Sequence, residues 1–366
     1  WDQLIELAEL LGSAVLGDSR SPTSFPTNHH LQQAGFGLRG GGDFSATLKQ
    51  ADVVLALERV DPMGTLRGAF STSKDPRRGL EVDAAALPKL INVSVDQFAV
   101  RSWTTDFFEL PPANVPIVAN VERTVAALLE EVRRTMRDNG GARSRAEQRT
   151  EQLRTHRAEL ESGWRAFNLE RWAMQPISVE RMVGELKTTL GDDYEQTIVT
   201  RMPLTWPSGV WEFTQPLANL GGDGGGGVGS GPGMSVGAAL AARPSGRPVV
   251  AFVGDGDMLM APSALWTAAH HDIPILFVVA NNRSYYNDEE HQDRVARMRN
   301  RPPENRWIGQ RIDDPGVNFA GLANDLGASG FGPIKEPNDL ADAFTQALAA
   351  VREGGPALVD VHISPR

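Results

Sequence analysis

Pro248-Val249-Val250-Ala251-Phe252-Val253-Gly254-Asp255-Gly256-Asp257 decides how this chain is read. Its first six residues form a near-continuous apolar run, the pattern of a strand buried on both faces. Gly254-Asp255-Gly256-Asp257 then breaks the run at once. A helix is expected over roughly Pro262 to His271, with Pro262 near its first turn, where proline is tolerated. Ile273 to Ala280 is a second apolar run, closed by Asn281-Asn282. The unit is strand, helix, strand. A right-handed crossover makes the two strands parallel, which puts Asp255 and Asn282 at the same edge of the sheet, where α/β proteins bind ligands.

The residue types at that edge suggest what it holds. A carboxylate and an amide oxygen are hard ligands suited to Mg²⁺, which completes its octahedron with phosphate oxygens and water. Gly254 and Gly256 permit a tight turn and close approach. The following helix offers free N–H groups and the positive end of its dipole. A divalent ion clamped on a diphosphate is the natural occupant. Gly-Asp-Gly alone, or Asn-Asn alone, is usually only a turn. The pair, 27 positions apart from Asp255 to Asn282 with a helix and a buried strand between, is far more specific.

Working outward, Gly221 to Gly233 is glycine-rich and leads into a small-residue helix, Met234 to Ala242. Taken alone it reads equally as a linker or a Rossmann-like loop. It is not a P-loop, because no Gly-Lys pair follows. Its place just before the strand ending at Gly254 makes it useful. From residue 175 to 366 the chain reads as one α/β domain. Residues 138–174 are dense in Arg and Glu and read as a charged helical linker; interleaved Glu147, Glu151, Glu159 and Glu161 argue against a nucleic-acid helix. Residues 1–137 alternate helix and strand, with a buried strand over Ala51–Leu57, others at Leu90–Val95 and Val115–Val118, and an amphipathic helix through Val121–Val132. That alternation predicts a second parallel sheet. The fold class is α/β, a Rossmann-like domain followed by a parallel-sheet ligand-binding domain.

The bulk numbers narrow the function. The 366 residues fit about two domains. Asp and Glu number 46 against 36 Lys and Arg, a net charge of −10. An acidic chain gains no counterion-release energy on nucleic acid and is repelled by anionic membranes. The absence of cysteine excludes disulfides, iron–sulfur clusters and a thiolate nucleophile, and suits a cytoplasmic location. The longest apolar stretch is too short to span a bilayer, which takes about 20 residues. A chain opening on Trp1 is expected to have lost upstream residues. His29-His30 reads as a surface or structural loop before a substrate or effector site. His270-His271 reads as a helix terminus, and Trp206 and Trp211 as packing residues near the site's rim.

Gly254-Asp255-Gly256-Asp257 with Asn281-Asn282 resembles the motif of the thiamine diphosphate (ThDP) enzymes typified by acetolactate synthase, benzoylformate decarboxylase and 2-hydroxyacyl-CoA lyase. Residues 1–137 resemble their central domain and 175–366 their diphosphate-binding (PP) domain. The segment Arg283 to Gln292 is most similar to the acetolactate-synthase-like branch. The resemblance implies that ThDP and Mg²⁺ are the cofactors. Asp255, Asn282 and the Ser284 carbonyl would hold the metal, while Gly254, Gly256, Asp257 and Met258 would face the diphosphate. Val228 would prop the cofactor in its bent form, and the Gly226 carbonyl would accept from the aminopyrimidine amino group. Tyr285, Tyr286 and His291 are candidates to line a substrate pocket. No catalytic residue is assigned to this chain. The activating glutamate is expected on a pyrimidine-binding (PYR) domain, for which no segment here qualifies. A PYR-domain partner subunit is therefore expected, in a homo- or hetero-oligomer, with a removed N-terminal part as the alternative. The implied activity is decarboxylation or carboligation of 2-oxo acids or acyloins. A 2-hydroxyacyl-CoA lyase or oxalyl-CoA decarboxylase type of subunit is an alternative, as is a non-catalytic cofactor-binding regulatory subunit.

Overall fold

The computed structural model describes residues 1–17, 21–35, 41–59, 61–71, 82–95, 113–203, 205–222 and 227–364. The chain divides into two compact units: Trp1–Leu16, His29–Gly35 and Gly40–Leu160 form one; Gly17–Asn28, Phe36–Arg39 and Glu161–Arg366 form the other. No helix among the described residues is long and apolar enough to cross a membrane.

The first unit holds helices α1 (Asp2–Leu11), α2 (Gly41–Lys49), α3 (Pro62–Phe70) and α4 (Val121–Asp138), with strands β1 (Val53–Leu57), β2 (Lys89–Val93) and β3 (Val115–Ile117). The strands pair in parallel, in the order β1-β2-β3. β1 is less buried than its apolar sequence suggests: only Ala56 is fully covered, and Val53 is 53% exposed. α4 presents Val125 and Leu129 to Leu7 of α1, with Leu128 and Val132 beside them, a spacing of three and four that lines one helical face. It starts where Asn120 accepts a hydrogen bond from the Arg123 amide at 3.1 Å, satisfying one of the orphan donors of the first turn. Asn120→Ala is expected to cost about 1 kcal/mol in urea denaturation; an unmoved midpoint would show that the cap contributes nothing. His29 stacks on His30 at 4.3 Å and reaches Glu9 at 3.3 Å, contacts that suit a structural pair.

The charged stretch is one helix, α5 (Gly140–Trp172), and the division between units falls within it. The break at Asn139 separates it from α4.

The second unit adds α6 (Val179–Leu190), β4 (Ile198–Arg201), α7 (Ser230–Ala242), β5 (Val249–Gly254), α8 (Asp255–Met260), α9 (Ser263–His270), β6 (Ile275–Asn281), α10 (Tyr286–Met298), α11 (Phe319–Asp325), β7 (Ser329–Ile334), α12 (Leu340–Arg352) and β8 (Pro356–His362). Its sheet is parallel throughout, in the order β4-β5-β6-β8-β7. Alternate residues of β5 and β6 enter two cores. Val250, Phe252, Leu276 and Val278 meet α6 and α12 on one face. Ala251, Val253, Phe277 and Val279 meet α7, α9 and α11 on the other. Burial on both faces is why these strands read as unbroken apolar runs; each fully buried Val, Leu or Phe contributes on the order of 1.5–3 kcal/mol. Trp206 and Trp211 are core residues packed on Phe252.

The helix expected over Pro262 to His271 is α9, but a further helix precedes it: the chain turns helical at Asp255 itself, as α8. The free amides at the end of β5 therefore belong to α8. α7 begins at Ser230, four residues before the expected Met234, so Pro232 falls in its first turn, where a missing N–H costs nothing.

Candidate active site

In the second unit β5 and β6 run side by side in register, with Gly254 opposite Ala280. Asp255 and Asn282 therefore leave the sheet from neighbouring strand ends. Both side chains turn to one atom. Asp255 Oδ2 accepts from the Ser284 amide at 3.0 Å, and Asn282 Oδ1 accepts from the same amide at 2.9 Å. The other Asp255 oxygen accepts from the Gly256 amide at 2.9 Å. The turn that brings Ser284 back requires Arg283 at φ 60°, a left-handed conformation uncommon outside glycine.

Asp255 is 2% exposed. Burial pushes its carboxyl up to about 6, against the pull of backbone amides from Gly256, Ser284 and Arg283. A buried carboxylate supported only by backbone donors lacks a compensating cation. Together with the neighbouring amide oxygen, that is an oxygen donor set suited to a hard divalent ion. Among the described residues no three His, Cys, Asp or Glu side chains cluster as a metal site, so any ion here would take its remaining ligands from carbonyls, phosphate and water.

Asp257 faces another way. Its Oδ1 accepts from the Gly229 amide, and its Oδ2 lies 3.7 Å from Arg201 Nε at the end of β4. A Cβ on Gly231 would sit 2.2 Å from that carboxylate. Asp257 thus ties the glycine loop and the start of α7 to α8. The Met258 side chain is fully buried in the core, so only its main chain can face the strand ends. Gly254 caps α8. Val228 is 47% exposed in the turn before α7. Gly226 lies outside the described residues.

The Tyr285 ring lies over Gly256: a Cβ there would meet Tyr285 Cε1 at 2.2 Å. Burial, then Asp255 and Asp257, raise the tyrosine hydroxyl above its ordinary value. Tyr286 opens α10 half-buried, whereas His291, further along that helix, is exposed. Of the three pocket candidates, Tyr285 is the one placed against the Asp255–Asn282 pair.

Two supports escaped the sequence reading. Ser284 Oγ donates to Glu289 Oε1 at 2.5 Å; Glu289 is 2% exposed and also bonds Arg311 Nε at 3.0 Å. Main-chain pairing of 283–285 with 310–312 closes this brace. The second support is Asp360 of β8, whose Oδ1 accepts from Asn281 Nδ2 at 2.9 Å. A charge inside the apolar run Ala357-Leu358-Val359-Asp360-Val361 was a signal available in the sequence.

Comparison with known proteins follows the same outline. Residues 204–361 match the family described as thiamine pyrophosphate enzyme, C-terminal TPP binding domain. The chain is 24% identical over 377 residues to a sulfoacetaldehyde acetyltransferase of Alcaligenes xylosoxydans xylosoxydans, covering 97% of this chain and 57% of that protein. It is 23% identical over 367 residues to the acetolactate synthase isozyme 3 large subunit of Escherichia coli (strain K12), covering 99% and 56%. Among solved structures, benzoylformate decarboxylase from Polynucleobacter necessarius superposes with a TM-score of 0.66 at 19% identity, covering 100% of this chain and 59% of that one; at that identity the likeness concerns the fold. The chain spans about half the length of the curated relatives it matches.

Proposed function

Since residues 204–361 match the C-terminal TPP binding domain of thiamine pyrophosphate enzymes, we propose that this chain provides the diphosphate- and Mg²⁺-binding half of an acetolactate-synthase-like decarboxylase or carboligase acting on 2-oxo acids or acyloins. The observation that carries the proposal is the convergence of Asp255 and Asn282 on the Ser284 amide. In this reading the Asp255 carboxylate, the Asn282 amide oxygen and the Ser284 carbonyl hold Mg²⁺. The main chain of Gly254 to Met258 would face the diphosphate, with the Tyr285 ring against Gly256 beside it. When bound, ThDP supplies the carbon nucleophile and the electron sink for making or breaking a bond beside a carbonyl. The protein's own residues would position the cofactor.

The glutamate that activates the cofactor is proposed to come from a PYR domain outside these residues, on the same polypeptide or on a partner subunit. The surface around the glycine loop supports such an arrangement. Val228 and Met260 are 47% and 58% exposed, and Gly229 lies against Met260. Apolar side chains left open beside a cofactor cradle suit a covering domain.

Acyl transfer is a second reading, favoured by the similarity to a sulfoacetaldehyde acetyltransferase. Calorimetric titration with ThDP and Mg²⁺ tests the binding claim: saturable heat that needs the metal is expected, and heat unchanged by chelator would defeat it. With a PYR domain supplied, release of CO₂ from a 2-oxo acid separates decarboxylation from acyl transfer to an added acceptor.

A further inference from the structure

Asp360 is fully buried, and its Oδ2 has no hydrogen-bond partner among the described residues. An unpaired buried carboxylate is an expensive residue to keep in a core strand. What it offers a neighbouring amide is acceptance alone, because an ionised carboxylate has no proton to donate.

The acceptor faces Asn281, itself 3% exposed. Register sets Asp360 opposite Val279 and His362 opposite Asn281, so Asp360 and Asn281 share one sheet face as diagonal neighbours. Since Asp360 can only accept, Asn281 must turn its Nδ2 toward it, at 2.9 Å. The remaining amide atom, Oδ1, is thereby aimed at the Arg283 amide, which donates to it at 3.1 Å. Arg283 is the residue held at φ 60°, a conformation that persists only where its surroundings enforce it. With the amide of Asn281 reversed, two donors would face each other at that point.

We propose that Asp360 is a positioning residue, which fixes the amide orientation of Asn281 and so holds the turn Asn281–Ser284 in the shape that presents Asn282 and Ser284 to a metal. The metal part of this inference rests on the functional reading above; the hold on the turn does not.

Hydrogen exchange read by mass spectrometry tests that hold without any ligand. In Asp360→Ala, peptides spanning residues 281–285 are expected to exchange faster than in the native protein, while the centres of β5 and β6 keep their protection. Asp360→Asn, which can still accept through its own Oδ1, is expected to retain native exchange. A reciprocal pair covers the case in which Asp360→Ala fails to fold. Asn281→Asp alone sets two carboxylates face to face and is expected to loosen the turn; adding Asp360→Asn restores one donor between them and is expected to recover it. Unchanged exchange in Asp360→Ala, or no recovery in the double variant, overturns the proposal. Mn²⁺ titration in the presence of ThDP, followed by electron paramagnetic resonance, reads the consequence: Asp360→Ala is expected to bind about 10-fold more weakly, the low end for losing an outer-shell partner. Absence of Mn²⁺ binding to the native protein would count against the functional reading and leave the exchange result to judge Asp360.

Discussion

Asp255→Ala is expected to lose Mg²⁺-dependent ThDP binding, by more than the roughly 10–100-fold that removal of an outer-shell partner costs. The reason is geometric. Asp255 is the only charged oxygen in the proposed ligand set, and its two oxygens also accept from the Gly256 and Ser284 amides. Removing it deletes the charge and loosens the turn that carries Asn282. Calorimetry with ThDP over a range of Mg²⁺ concentrations provides the measurement, and native affinity in the variant would defeat the metal assignment.

The same residue carries a stability signature of opposite sign. Burial raises the Asp255 carboxyl from its ordinary 3.8 to about 6. Below pH 3.8 it is protonated whether the chain is folded or not. Between those values the folded protein keeps a proton that the unfolded chain releases, so the stability tied to this group is lost as pH rises through about 6. Above that pH the metal-free protein bears the full cost of an ionised buried group. Asp255→Asn escapes the cost but gives up one acceptor. It is expected to be more stable than the native chain by about 1–3 kcal/mol at pH 7.5 without metal, an advantage that fades toward pH 4. Urea denaturation at the two pH values in chelator would show it; equal stability at pH 7.5 would mean that the buried charge is already compensated. A substitution that strengthens the fold while removing ligand binding is the behaviour of a site whose cost is borne for function.

Gly330→Ala is the second large effect, and it bears on folding. A Cβ at Gly330 would lie 2.0 Å from the Ala320 carbonyl oxygen and 2.8 Å from its carbon. The obstacle is α11 backbone, so no rotamer change relieves it. α11 cannot retreat easily either, because Phe319 and Ala323 are locked in the core and Asn318 caps its first turn. Overpacking of this kind costs about 3 kcal/mol, which in a domain of this size lowers Tm by roughly 6–12 °C. A thermal scan within a degree of native would show that β7 can move away from α11. β7 pairs with β8 at the sheet edge, away from β5, so the folded fraction of Gly330→Ala is expected to bind ThDP and Mg²⁺ with native affinity. That contrast separates it from Asp255→Ala.

Much of the site was legible along the chain because its parts lie on one strand–helix–strand unit. The apolar runs ending at Gly254 and at Asn281 marked β5 and β6 to within two residues, and parallel pairing alone brought Asp255 beside Asn282. The start of α8 was missed because Gly-Asp-Gly-Asp has poor helix propensity, and packing of Met258 into the core supplies what propensity does not.

What the primary structure settled, then, was the local grammar: two doubly buried strands, the polar residues that terminate them, and the edge those residues share. Only the folded chain decided how that edge is held. Glu289 and Arg311, Asp257 and Gly229, and Asp360 and Asn281 are 22, 28 and 79 positions apart. No periodicity or turn chemistry links residues at such distances. They meet because sheet order and register bring β8 beside β6 and the glycine loop beside α8, and hydrogen bonds between distant residues exist only once those strands and loops have docked.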